Sequence, residues 1–204
     1  MSEITGLSVQ EKNKERCNVF VDGQFFAGVP LETVLSLRLK VGKTVDAENL
    51  KEILETAELT DAMAKGLNYV SKALKTKRQV KEYLLKKGYP EAVAYKVIDK
   101  LKEYGYISDE EYSSRFIDGT HRVQGRRLIE YKLMMKGVRK EDIAAAYENK
   151  EFSAKEDAAA LAAKHIKNKE RTRENISKTY RYLIGKGFSY EEADYAVSFL
   201  KEDD

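Results

Sequence analysis

The apolar positions of this chain change their period once. Ile4 to Val9 alternates apolar and polar residues, and Cys17-Asn-Val-Phe-Val21 and Gln24-Phe-Phe-Ala-Gly-Val29 are β-prone runs on either side of Asp22-Gly23. Two such runs around Asp-Gly predict a tight antiparallel hairpin, because both central turn positions need φ > 0. Ile4–Val9 is expected to add a third short strand. Pro30 opens a short helix through Leu31 to Leu37, and a second short helix is expected from Asp46 to Leu54.

From about residue 60 the apolar residues take up a helical period with clear punctuation. Ser/Thr-x-x-Glu/Gln capping boxes stand at Thr76/Gln79, Ser108/Glu111, Ser153/Glu156 and Ser189/Glu192. In each, the hydroxyl can accept from an orphan amide while the Glu or Gln reaches back. Gly88, Gly105, Gly137 and Gly187 stand where left-handed helix caps belong, and Pro90 suits a first helical turn. This punctuation predicts helices over 61–74, 77–87 and 90–104, then 109–122, 126–136 and 140–149, then 154–168, 173–186 and 190–201.

These nine helices form three copies of one grammar. Leu84-Leu-Lys-Lys-Gly88, Leu133-Met-Met-Lys-Gly137 and Leu183-Ile-Gly-Lys-Gly187 place their last glycines 49 and 50 residues apart. Leu67, Phe116 and Ile166 each stand 21 residues before a glycine, and Met63, Tyr112 and Ala162 four residues earlier still. A repeat that keeps its offsets is one supersecondary unit reused, here a helix-turn-helix-like triplet. The expected fold is mainly α: tandem three-helix repeats in an elongated array, preceded by a small N-terminal β-hairpin module. The expected boundaries are 1–58 for the hairpin module with its short helices, then 59–106, 107–150 and 151–204 for the repeats.

Composition narrows the class. Of 204 residues, 42% are hydrophobic and 35% charged, which fits helices with long solvated faces. One cysteine, Cys17, excludes an internal disulfide framework and fits a reducing compartment. There is no apolar run long enough for a membrane span and no apolar signal core, so a cytoplasmic protein without membrane attachment is expected. The net charge of +3 conceals an asymmetry: residues 61–150 carry 20 basic and 13 acidic side chains, a net of +7. Such an excess attracts polyanions, although lysine is also a common solvent-face residue of helices.

Catalytic signatures are missing. The chain has no Walker A loop and no Gly-x-Gly-x-x-Gly, and two histidines with one cysteine do not compose a usual zinc site. His121 reads as a solvated histidine at a helix end. Asp109-Glu110-Glu111 reads as a helix start, where negative charge is favourable. Cys17 reads as a small buried apolar residue. No enzyme activity, cofactor or metal is expected.

The basic residues at helix boundaries are more telling. Lys72, Lys75, Lys77, Arg78 and Lys81 surround the first turn of repeat one. Arg122, Arg126 and Arg127 occupy the matching place in repeat two, and Lys167, Lys169, Arg171 and Arg173 in repeat three. Each cluster precedes or opens the second helix of its repeat. A helix N-terminus with arginine or lysine beside it makes an anion site. Exposed charge for solubility is the plain alternative. Tyr83, Tyr95, Tyr112, Tyr131 and Tyr182 could stack on unpaired bases, but their helical spacing with Leu, Ile and Val favours core packing with the hydroxyl at the rim.

Several phrases, in order, resemble a known family. They are Arg16-Cys-Asn-Val-Phe-Val-Asp-Gly23, Lys75-Thr-Lys-Arg-Gln-Val80, Tyr83-Leu-Leu-Lys-Lys-Gly88, Val97-Ile-Asp-Lys-Leu-Lys-Glu-Tyr-Gly-Tyr-Ile-Ser-Asp109, Tyr112 with Arg115-Phe116, and Leu133-Met-Met-Lys-Gly137. The chain resembles the bacterial regulatory RecX family in its longer form. The resemblance implies a non-enzymatic modulator of the recombinase RecA, and a monomer is expected. Such a protein lodges in the groove of the RecA–single-stranded DNA filament and usually inhibits its ATPase and strand exchange. Single- or double-stranded DNA is an implied second partner. The rivals are a sequence-tolerant DNA-binding array that needs no recombinase, and a helical protein–protein scaffold. The expected contact residues are Lys72, Lys75, Lys77, Arg78, Lys81, Arg122, Arg126, Arg127, Arg171 and Arg173.

Overall fold

The computed structural model of the chain describes residues 1–11, 13–148 and 150–201. Two compact units make up the chain: Met1–Leu74 with Gln79–Ile107, and Lys75–Arg78 with the residues from Ser108 onward.

The first unit opens with an antiparallel sheet. Strands β1 (Ser2–Val9), β2 (Arg16–Val21), β3 (Gln24–Pro30) and β4 (Thr44–Val45) lie in the order β3-β2-β1-β4. Asp22 and Gly23 make the β2–β3 turn with φ of 49° and 79°, the pair of positive angles this hairpin requires. The turn is tied to β1: Asp22 Oδ1 accepts from Glu3 N and Thr5 Oγ1 from Gly23 N, both at 2.8 Å. Strand β4 was not expected, since two residues carry no alternation to read. Pro30 stands just before α1 (Leu31–Ser36) as its N-cap. Ile4, Val19, Val29, Val34, Leu50 and Leu54 form the core beneath the sheet.

The two helices expected over 46–54 and 61–74 are one, α2 (Ala47–Ser71), of 25 residues. Asp46 caps it, accepting from Glu48 N at 3.0 Å and Asn49 N at 3.3 Å. The intervening Glu55-Thr-Ala-Glu-Leu-Thr60 holds neither glycine nor proline, so nothing interrupts propagation. Its N-terminal half gives Leu50 and Leu54 to the sheet core. Its C-terminal half gives Ala62 to a second core with α3 (Lys77–Lys86) and α4 (Glu91–Glu103). The boundary expected between 58 and 59 therefore falls inside a continuous helix.

The second unit holds two further helix triplets. They are α5 (Asp109–Thr120), α6 (Arg126–Met135) and α7 (Lys140–Glu148), then α8 (Ala154–Ile166), α9 (Arg173–Gly185) and α10 (Tyr190–Ser198). Each has its own core. The expected last residue of α7, Asn149, and residues 202–204 of the expected third repeat lie outside the described residues.

The repeat grammar holds most closely around the glycines. Gly88, Gly137 and Gly187 have φ of 90°, 82° and 88°. Leu84, Leu133 and Leu183, four residues earlier, are wholly buried, and Tyr89, Val138 and Phe188 are buried one residue later. The first helices do not keep the expected offset. Their buried i, i+4 pairs are Ala62/Gly66, Ser113/Ile117 and Ala162/Ile166, so Leu67 and Phe116 sit half-buried beside the seat that Ile166 fills. The irregular turn before each second helix absorbs the difference, as loops tolerate changes of length.

Three caps follow expectation at the hydroxyl: Ser108, Ser153 and Ser189 accept from Glu111 N, Glu156 N and Glu192 N. Ser189 and Glu192 complete the reciprocal box. Thr172, unforeseen, caps α9 through Asn175 N. Among the described residues no helix is long and apolar enough to cross a membrane.

Candidate nucleic-acid and partner interface

The basic turns have two roles, and the structure separates them. Lys77 opens α3, and its amide donates to Asp109 Oδ1 at 2.9 Å while its ammonium lies 3.8 Å from Oδ2. Asp109, 3% exposed, is the first residue of α5. Lys81 is held by Glu91 at 2.5 Å and Tyr95 OH at 2.7 Å, over the Tyr95 ring. The Glu91 partner and the Tyr95 hydroxyl hold the Lys81 pKa above its ordinary value. Arg126 Nε reaches Glu130 at 2.6 Å, and its guanidinium lies 4.4 Å from the Tyr147 ring centre. Burial and the nearby Glu130 push the Tyr147 hydroxyl up to about 12. Lys75, Arg78 and Arg171 also contact the rest of the chain.

Lys72, Arg122, Arg127 and Arg173 differ. All four are exposed, and none of their side chains makes a hydrogen bond or ion pair among the described residues. Lys72 is the C-cap of α2, Arg122 follows α5, Arg127 is second in α6 and Arg173 first in α9. These are cations on display, with no carboxylate of their own to neutralise them.

Two of the amides at these turns are already engaged. The amide of Lys77 serves Asp109, and Gly125 N donates to Lys186 O at 3.0 Å. The second bond belongs to a pattern that repeats. Each Lys-Gly helix end takes a donor from upstream: Asn13 Nδ2 to Lys87 O at 2.8 Å, Thr76 Oγ1 to Lys136 O at 2.8 Å, and Gly125 N to Lys186 O. Thr76 donates its hydroxyl proton to this distant carbonyl, which leaves its oxygen able to accept as the expected box with Gln79 requires. The approach is close. A Cβ on Gly137 would stand 2.3 Å from Arg78 Cδ, and one on Gly187 2.4 Å from Leu128 Cβ. These glycines are helix caps and also seats for the upstream chain. Sequence reading found the caps from residue type and missed the seats, because their other halves lie far off in the chain.

The remaining candidates resolve as follows. Tyr83, Tyr112 and Tyr182 pack against cores as expected, with Tyr83 stacked on Tyr69 at 4.1 Å and Tyr182 on His165 at 4.3 Å. Tyr95 and Tyr131 do not, being 48% and 56% exposed on the outer faces of α4 and α6. His121 is not solvated: its Nδ1 lies 2.7 Å from Asp157 and its ring stacks on Phe152. Cys17 is buried, which raises its thiol pKa and suits an inert core residue.

Comparison with known proteins agrees with this arrangement. The regulatory protein RecX N-terminal domain matches residues 2–46, and the RecX first three-helix domain matches residues 62–101. A regulatory protein RecX of Clostridium botulinum is 36% identical over 197 residues, covering 94% of this chain and 92% of its own length. The chain belongs to the RecX family. A Clostridium beijerinckii RecX regulatory protein is 35% identical, with 97% of this chain and 95% of that protein covered. A crystal structure of regulatory protein RecX shares the fold, with a TM-score of 0.67 at 23% identity over 97% of this chain and 100% of its own. The small sheet followed by three-helix units is thus the RecX architecture.

Proposed function

We propose that this RecX protein is a non-catalytic modulator of the RecA recombinase. It engages the RecA–single-stranded DNA filament along its groove and restrains ATP hydrolysis and strand exchange. The observation that carries this reading is the recurrence of unpaired, exposed cations at the second-helix turn of each repeat: Lys72, Arg122, Arg127 and Arg173. A filament repeats its phosphates and its protein surface, and a chain that repeats its contacts gains avidity from several modest sites.

Lys77, Lys81 and Arg126 support the turns from within, since their charges already meet Asp109, Glu91 and Glu130. Reversing the charge of Lys72, Arg122, Arg127 and Arg173 together is therefore the clean test. The quadruple variant should bind filaments more weakly and relieve inhibition of the ATPase. If all four contact phosphate, the slope of log affinity against log salt should become shallower by up to about 3. Circular dichroism should be unchanged, because exposed charge changes usually cost about 0.5 kcal/mol or less each. A folded variant that inhibits as well as the parent would remove these cations from the mechanism. Equal binding to bare and recombinase-coated DNA would instead favour a DNA-binding array that needs no recombinase.

A further inference from the structure

The third repeat departs from the other two inside its core. Eight residues before the capping glycine, α3 and α6 bury Val80 and Ile129, whereas α9 buries Thr179. Twenty-two residues before that glycine stand Gly66 and Arg115 in the first two repeats and His165 in the third. Of the three repeats, the third alone sets a hydroxyl against an imidazole at these places.

The two side chains anchor a series of hydrogen bonds that ends in the basic turn. The Thr179 hydroxyl donates to Asn175 O at 2.9 Å, so its oxygen is left to accept from His165 Nδ1 at 3.0 Å. That fixes the imidazole proton on Nδ1 and leaves the Nε2 lone pair to accept from Lys169 Nζ at 3.3 Å. Asn175 carries the network further: its Nδ2 donates to Glu170 O at 2.9 Å and its amide to Thr172 Oγ1 at 3.3 Å. Lys169, Glu170 and Thr172 belong to the turn that carries Arg171 and Arg173.

This network requires a neutral His165. A protonated ring has no lone pair for Lys169 and sets a second positive charge beside it. The surroundings offer that charge no counter-ion. Lys169 faces the ring from beyond the end of α8. From α9, Tyr182 stacks on it at 4.3 Å, with Lys186 Nζ 5.3 Å from the Tyr182 ring centre. The acidic side chains of α9 and α10 are engaged elsewhere: Glu174 with Lys178, Glu191 with Lys155, Glu192 with Ser189 N, and Asp194 near Tyr180. Burial, and then the Lys169 ammonium, hold the His165 pKa below its ordinary value. The network therefore stabilises the fold above the ordinary histidine value of about 6.5 and is lost as pH falls below it.

We infer that His165 is a proton-linked latch on the basic turn of the third repeat. Neutral, it holds Lys169 and the turn in place; protonated, it releases Lys169 and adds its own charge to the turn. The inference rests on the function proposed above and adds a condition under which the third repeat engages phosphate. Phosphates at the turn favour the protonated latch, so filament binding and proton uptake strengthen each other.

His121 and His165 are the only histidines, so imidazole nitrogen shifts of the full chain read the site directly, with His165→Gln assigning the signals. His165 should carry its proton on Nδ1 near neutral pH and titrate below an unfolded histidine. Lys169→Met should raise its pKa. Filament affinity is then measured for the parent and for His165→Gln, whose glutamine is a good helix former, with thermal midpoints as folding control. Taking the ratio of the two at each pH cancels the titration of the filament itself. The ratio should move about fivefold in favour of the parent between about pH 8 and pH 5, the low end of coupling between linked sites. A ring protonated on Nε2, or a titration that Lys169→Met leaves unchanged, overturns the latch. So does a parent that binds filaments with the same pH dependence as His165→Gln, and the proposed function then stands. A parent that binds no filament at any pH overturns that function, and the latch with it.

Discussion

Gly137 meets two separate demands at one residue. Its φ of 82° lies in the region that side chains rarely adopt, and a Cβ there would stand 2.3 Å from Arg78 Cδ and 2.5 Å from Arg78 Cβ. Left-handed backbone alone costs about 1–2 kcal/mol for an ordinary residue. Gly137→Ala should therefore destabilise by more than that, since the Arg78 stem must also move. Gly119, inside α5 with nothing within 4 Å of its ideal Cβ, should respond oppositely. Gly119→Ala should stabilise by about 0.5–1 kcal/mol through helix propensity. Denaturant midpoints of the two variants check the contrast, and a loss at Gly137 of no more than about 1–2 kcal/mol would mean that it is only a cap.

Arg16 is a second decisive residue. It is 4% exposed, and its Nη2 donates to Gly28 O and Glu58 Oε1 at 2.5 Å. Its guanidinium lies 5.0 Å from the Tyr89 ring centre, and Tyr89 OH donates to Asp61. Burial raises the Glu58 pKa even though the guanidinium beside it acts in the opposite direction. A carboxyl raised in the folded state favours folding below its ordinary pKa, and that stability is lost as pH rises through the raised value. Arg16→Met removes the lowering influence and strands a buried carboxylate, so it should cost about 3–5 kcal/mol near neutral pH. The deficit should shrink as pH falls toward the ordinary glutamate range. Unfolding midpoints of parent and variant across a pH series measure this, and a deficit independent of pH would rule Glu58 out.

At the scale of elements, the turns are organised by bonds that reach far along the chain. Asp109 begins α5, where acidic residues favour the helix dipole, yet its carboxylate also takes the first amide of α3. Asp109→Ala leaves Lys77 N without that acceptor and should cost about 1–2 kcal/mol, the range of a lost helix cap. Asp109→Asn keeps an acceptor oxygen and should cost less. If the two substitutions shift chemical denaturation equally, the bond to the Lys77 amide contributes nothing and only the charge matters. Helix α2 makes the same point by continuity, since one uninterrupted helix feeds the sheet core through Leu54 and the α3–α4 core through Ala62.

At the scale of the whole molecule, that shared helix makes the sheet and the first three-helix group one compact unit. Leu54→Ala, under the sheet, and Leu84→Ala, in the helical core, should each cost about 2–5 kcal/mol. Hydrogen exchange should then accelerate at both Val19 and Val97 in either variant. Acceleration confined to the mutated core would show that α2 joins two independent cooperative blocks. The second unit carries three of the four unpaired cations, Arg122, Arg127 and Arg173.

The sequence by itself determined whatever depends on local backbone chemistry. Asp22-Gly23 had to turn, Ser108, Ser153 and Ser189 had to cap, and Gly88, Gly137 and Gly187 had to end helices, because each outcome is decided within a few residues by φ, hydroxyl or side-chain volume. The basic clusters were legible as composition for the same reason. Tertiary structure alone decided which cations remained available. Lys77 is bound to Asp109 and Lys81 to Glu91, each on another helix, whereas the Arg127 side chain remains exposed and unpaired among the described residues. It also decided that Tyr131 and Met135 face outward while Tyr83 and Tyr182 stack inward. Helical period places a residue on a face, but only the packing of the other helices decides whether that face is covered.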